Sequence, residues 1–340
     1  EGTVNVTLIT GKSEQSTETQ IKWVKSGDKI LKGEELQKKI KTFRDSLIIG
    51  QRELEDFDNT LGSELYDLMI RPFDDKLNQE KIKTLIFVQD GFLRSIPMTA
   101  LYDAKTKEYL IQKYAIATTP SIRLTAPASE RDRIPDKALI LGLTQAAEVD
   151  TQKFRALGSA DSEIQAVKQI FPKHKDFIDQ EFAPDTFGKE LGNEIYPVVH
   201  IVTHAQFGTI PEDTFIVTGK NKKLTIDKLE STLSNVPGKA NAIDLLALTA
   251  CDTALGDDRA TLGLAGVALQ TGVKTAMASL WSVRDESTAI LVEDFYRNLQ
   301  KPGTTKAEAL QKAQIKMITE QPKFASPSFW SPFILIGNWV

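Results

Sequence analysis

Residues 245–254 read LLALTACDTA, an apolar run that gives way to Thr249, Cys251, Asp252 and Thr253, and they hold the single cysteine of the 340-residue chain. A short continuous apolar run bounded by polar and small residues is the pattern of a strand buried on both faces of a sheet. Cys251 then stands at the carboxyl end of that strand. The same pattern recurs at 137–143 (KALILGL), 196–204 (YPVVHIVTH), 273–283 (VKTAMASLWSV) and 329–338 (FWSPFILIGN). Helical stretches lie between and after these runs. SADSEIQAVKQIF (159–171) opens with cap-type and acidic residues and stops at Pro172; LTIDKLEST (224–232), LGLAGVALQTG (262–272), DESTAILVEDFYRNLQ (285–300) and KAEALQKAQIKMITE (306–320) are the others. Strands alternating with helices imply right-handed crossovers, so the expected fold class is α/β, a mainly parallel sheet flanked by helices. Reactive groups in such sheets gather at the carboxyl ends of the strands. His204 ends its apolar run as Cys251 does.

The first half has a different rhythm. TVNVTLIT (3–10) alternates as a strand does, and LKGEELQKKIKTFRDSL (31–47) reads as a helix. Leu61, Leu65, Leu68 and Met69 recur at helical spacing and predict an amphipathic helix. IKTLIFVQDGFLRSIPMTAL (82–101) predicts a buried strand, a tight turn at Asp90-Gly91 and a second extended piece, and a further strand should end at Pro120. TAPASERDRIPD (125–136), rich in charge and proline, is the expected linker or exposed loop. DFIDQEFAPDTFGKELG (176–192) reads as a short strand and a short helix.

Composition narrows the function classes. The net charge of −4 offers no clustered cationic surface, so neither nucleic acid nor an anionic membrane is an expected partner. One cysteine forms no internal disulfide, and no Cys/His cluster has metal-ligand spacing. The expectations are therefore no metal, no cofactor and a reducing, cytoplasmic location. The start, EGTVNVTLITGK, lacks the regions of a signal peptide and reads as the beginning of a fragment.

A thiol is a good nucleophile as thiolate, and an imidazole that takes its proton makes the pair competent for acyl transfer. His204 precedes Cys251 by 47 residues (251 − 204), the order and rough interval of caspase-type peptidases. Small residues flank both, so the backbone N–H groups of Ala205 and Cys251 can approach a substrate carbonyl as an oxyanion hole.

Four ordered blocks sharpen this reading: VVHIVTHAQFG (198–208), LLALTACDTALGDDRATLGLAGVALQTG (245–272), TAMASLWSVRDESTAILVEDFYRNL (275–299) and FWSPFILIGNWV (329–340). They closely resemble the CHAT family, caspase-like domains usually found beside tetratricopeptide repeats. IFVQDGFLRSIPMTAL (86–101) is similar to the amino-terminal part of that domain, so the resemblance covers roughly residues 50–340. It implies a caspase/separase-type fold whose amino-terminal α/β half, residues 1–130, is a non-catalytic part resembling a degenerate second subdomain. Residues 131–340 would form the catalytic domain. It further implies a cysteine endopeptidase with His204 and Cys251 as dyad, a protein substrate, and a tetratricopeptide-repeat or other regulatory module outside this stretch. One departure is Ala205, where the family frequently has glycine.

The remaining candidates have plain readings beside the functional ones. Asp285 opens a helix and would serve as its N-cap, yet SLWSVRDES (279–287) also resembles the separase stretch whose aspartate recognises a basic residue before the scissile bond. Trp281 is either core or a wall of the substrate pocket. His200 reads as a packed or edge histidine and His174 as a solvated loop residue. Asp252 reads as a local hydrogen-bonding residue, and Asp257, Asp258 and Arg259 as a solvated loop at the cleft. Two other functions compete with the peptidase. One is a catalytically silent or gated caspase-like signalling or scaffold module. The other is nucleotide binding, for which Gly263 and Gly266 give G-x-x-G spacing without G-x-G-x-x-G or a P-loop lysine.

Overall fold

The structure, a computed structural model, describes residues 4–11, 17–26, 29–50, 57–121, 135–206, 213–236, 243–249 and 266–340. Eight strands form the central sheet: β1 (Thr84–Phe87), β2 (Ala115–Thr118), β3 (Lys137–Gly142), β4 (Lys173–Ile178), β5 (Val198–Val202), β6 (Leu245–Leu248), β7 (Thr275–Ser279) and β8 (Phe333–Gly337). Their spatial order is β4-β3-β5-β6-β7-β8-β2-β1. The five from β4 to β7 are mutually parallel, β8 runs antiparallel to β7, and β2 and β1 are parallel to β8. The sheet is thus two parallel blocks pointing opposite ways. Strands from both sides of residue 130 share it, while the expected linker lies almost entirely outside the described residues.

Each strand sorts its residues between two faces with period two. Ala138, Ile140, Val198, Val202, Leu245, Ala247 and Met277 pack into one core. Leu139, Leu141, Val199, Ile201, Leu246, Leu248 and Ala278 pack into the other. Helices α1 (Gly33–Ile49), α2 (Thr60–Met69) and α3 (Ala160–Ile170) contribute to the first, whereas α4 (Pro184–Asn193) and α5 (Ile226–Ser234) cover the second. Helices α6 (Asp285–Leu299) and α7 (Lys306–Glu320) return to the first face through Leu291, Phe295, Leu310 and Ala313. Burial on both faces is why these strands read as continuous apolar runs.

Two local expectations change, and the strand expected at TVNVTLIT is found. The segment after β1 is not extended: Asp90 caps a 3-10 turn at Gly91–Ser95, and a second covers Met98–Ala100. Proline at 97 and glycine at 91 (φ +54°) favour such turns over a ladder. His174 lies in edge strand β4 rather than a loop, its Nδ1 2.7 Å from the Phe171 carbonyl. TVNVTLIT pairs as a hairpin, Asn5–Gly11 with Thr17–Trp23.

Candidate active site

Adjacent parallel strands β5 and β6 end at the same edge of the sheet, and His204 lies just beyond the end of β5. Val202 ends β5, and Thr203 and His204 follow it. The Thr203 hydroxyl donates to the Val217 carbonyl at 2.7 Å, and the Val217 N–H donates to the His204 carbonyl at 2.9 Å. These bonds turn the chain into a short antiparallel strand, Ala205–Gln206, paired with Phe215–Thr218 in the register Ala205–Ile216. His204 and Val217 form the hydrogen-bonded pair, so Ala205 occupies the alternate position, where the N–H turns away from the partner strand.

The His204 ring is buried and tilted against Phe154 at 5.4 Å between centroids. Its Nε2 lies 2.7 Å from the Arg155 carbonyl. A carbonyl only accepts, so Nε2 carries the proton and the neutral ring keeps its lone pair on Nδ1. Nδ1 is thereby the nitrogen available as a base. Phe154 and Arg155 come from a hairpin, Ala147–Val149 with Gln152–Phe154, and from the residue after it. No sequence signal pointed to them, because a backbone carbonyl can be supplied by any residue type.

Cys251 lies outside the described residues, as do Asp252, Asp257, Asp258, Arg259 and Gly263. Thr249, two residues before Cys251, is the last described residue of that segment and is buried. Its hydroxyl donates to Glu163 Oε1 at 2.6 Å. His200 Nε2 is 3.1 Å from the same oxygen, a charge contact that is not aligned as a hydrogen bond, and its Nδ1 is 3.1 Å from Tyr296 Oη. His200 is therefore fully packed inside the sheet, as its strand position predicts. The sequence held a signal for Glu163: it falls on the stripe Ala160, Ile164 and Val167, which α3 buries.

Asp285 is the first residue of α6 rather than its N-cap, which is Arg284. Its Oδ2 accepts from the Gly158 N–H at 2.9 Å, tying the start of α6 to the loop that leads into α3. Trp281 is core: it is 2 % exposed, and its Nε1 donates to the Ser328 carbonyl at 3.4 Å. Among the described residues no group of three or more His, Cys, Asp or Glu side chains could hold a metal ion. No described helix is long and apolar enough to cross a membrane.

A large, mostly parallel sheet flanked by helices in this strand order defines a caspase-like fold. The CHAT domain model matches residues 59–338, and the chain belongs to the CHAT domain family. Tetratricopeptide repeat protein 28 of Mus musculus is 22% identical over 323 residues, and that of Homo sapiens 23% over 329; each alignment covers 81% of this chain. The chain spans only 13% of the length of these relatives. Among solved structures, the complex of Porphyromonas gingivalis RgpB pro- and mature domains shares the fold at TM-score 0.50 and 11% identity, over 80% of this chain and 70% of that one. The Saccharomyces cerevisiae separase–securin complex aligns over 80% of this chain and 18% of that one, at TM-score 0.48 and 13% identity.

Proposed function

We propose that this chain is a cysteine endopeptidase domain in which His204 and Cys251 form the catalytic dyad. The observation that carries the reading is the state of His204: Nε2–H is committed to the Arg155 carbonyl, which leaves Nδ1 as the base at the edge where β6 leads toward Cys251. Nδ1 takes the thiol proton, and the thiolate attacks the scissile carbonyl carbon. The new C–S bond places negative charge on oxygen, which the N–H groups of Ala205 and Cys251 stabilise. The protonated imidazole returns its proton to the leaving amine as the C–N bond breaks, and water then hydrolyses the thioester.

Asp285 would line the pocket for the residue before the scissile bond and favour Arg or Lys there, with Trp281 supporting the pocket from the core. The tetratricopeptide-repeat relatives support a helical-repeat module as regulatory partner, and the substrate is a protein, met in the cytoplasm. Burial of His204 to 3 % exposure favours a gated enzyme, in which the cleft opens when a partner engages. The test compares peptide turnover by wild type, Cys251→Ala, His204→Ala and the double variant. Members of one catalytic unit lose activity non-additively, so all three variants should be equally inactive. A double variant far slower than either single one would break the dyad.

A further inference from the structure

The buried polar group beneath β6 takes no part in the chemistry above, and a carboxylate removed from water is costly without a specific return. We propose that Glu163, backed by His200, is a positioning residue that fixes the strand end leading to Cys251 by holding Thr249; the inference rests on the reading of Cys251 as nucleophile. Glu163 is 3 % exposed on the apolar stripe of α3, where a leucine or methionine would pack without that cost. The bond from Thr249 Oγ1, at 2.6 Å, is short and charge-assisted, the kind that fixes geometry most tightly. It acts two residues from the thiol.

The other end of the chain of contacts is rigid. His200 sits in the middle of β5 with no exposure, and its ring stands edge-on to Tyr296 at 5.5 Å. Tyr296, on α6, is itself packed edge-on against Phe171 at 5.1 Å. Burial, with the charge of Glu163, pushes the Tyr296 phenol well above its ordinary value, so it stays protonated and able to donate. A phenol donating to His200 Nδ1 places the imidazole proton on Nε2, facing the carboxylate. Glu163 then meets groups from both central strands: it accepts a hydrogen bond from Thr249, just beyond β6, and makes a charge contact with His200 in β5, four residues before His204. One carboxylate thus links β5 and the end of β6, by a hydrogen bond to the latter and a charge contact to the former. A small misplacement of reacting groups costs up to ~100-fold in rate, which gives the network its use.

Cys251 is the single cysteine, so alkylation of the whole chain by iodoacetamide reads that thiol alone and needs no substrate. Thr249→Val keeps the shape and removes the donor, Thr249→Ser keeps the donor, and Glu163→Gln keeps the shape and removes the charge. With melting temperature and circular dichroism confirming a folded protein, Thr249→Val and Glu163→Gln should alkylate roughly 10-fold more slowly at pH 7. Their pH midpoints should move toward the about 8.5 of a free thiol. Thr249→Ser should stay within about 2-fold of wild type. A folded Thr249→Val with wild-type rate and midpoint, alongside a shifted His204→Ala, overturns the positioning role and leaves the dyad standing. An unshifted His204→Ala overturns the dyad, and the inference with it. If Thr249→Val does not fold, Glu163→Gln decides by the same two numbers.

Discussion

A histidine becomes a defined base when one of its nitrogens is spoken for, and at His204 the Arg155 carbonyl does this. The consequences of single groups can be followed at two further residues. Asp285 Oδ2 accepts a hydrogen bond from the Gly158 N–H. Asparagine retains an acceptor oxygen for that bond but has no charge, so Asp285→Asn should lower kcat/KM for substrates cut after Arg or Lys by roughly 10- to 100-fold, about 1.4–2.7 kcal/mol, with an unchanged melting temperature. A cleavage profile of unaltered preference would end the pocket assignment. Asp103 bears on stability instead. Burial acts to raise its carboxyl, but hydrogen bonds from Arg71 and Lys113 overcome that effect and hold it well below the usual carboxylate range. Its folded value lies under its unfolded one, so its stabilisation is full above about pH 4 and is lost as pH falls toward the folded value. Asp103→Asn should be less stable near neutrality and should lose less stability between about pH 4 and pH 2 than wild type, measured by urea unfolding across that range.

At the scale of elements, helix α7 and strand β8 close the first core, and each depends on one local device. Thr305 and Glu308 form a reciprocal capping box at the start of α7: Thr305 Oγ1 accepts from the Glu308 N–H at 3.1 Å, and Glu308 Oε2 accepts from the Thr305 N–H at 3.0 Å. Thr305→Ala should cost about 1 kcal/mol. Gly337 ends β8 at φ +107°, and a Cβ there would sit 2.4 Å from the Lys274 carbonyl. Gly337→Ala should therefore cost at least ~2 kcal/mol, more than the cap, because backbone must move as well as strain. Equal melting temperatures for the two variants would contradict this ordering. The sequence revealed the elements far better than their directions. The runs around Leu245, Val198 and Thr275 announced themselves because both faces are buried. The reversal at β8 is set by where α7 returns the chain, which no periodicity records. The hairpins Gln152–Phe154 and Phe215–Thr218 were missed because they are short and half polar, yet they hold both neighbours of His204.

Taken as a whole molecule, the two opposed parallel blocks put the carboxyl ends of β3, β5, β6 and β7 on one edge and those of β1, β2 and β8 on the other. The candidate chemistry lies on the first. The proposed pair, His204 and Cys251, was suggested by the sequence because a nucleophile and a base need particular residue types, and the structure describes His204 of the two. Arg155 could not be read, since a backbone carbonyl comes from any residue type; Glu163 showed only as a carboxyl on an apolar stripe, and its partner Thr249 is set by how α3 packs over the strands. The central claim is that this edge cuts peptide bonds through Cys251. Mass-spectrometric mapping of cleavage sites in a proteome-derived peptide mixture, with wild type and Cys251→Ala side by side, tests it most directly. Cleavage by wild type, predominantly after Arg or Lys, that is absent from Cys251→Ala is the predicted result. The same sites appearing with both proteins, or none with either, would contradict the account.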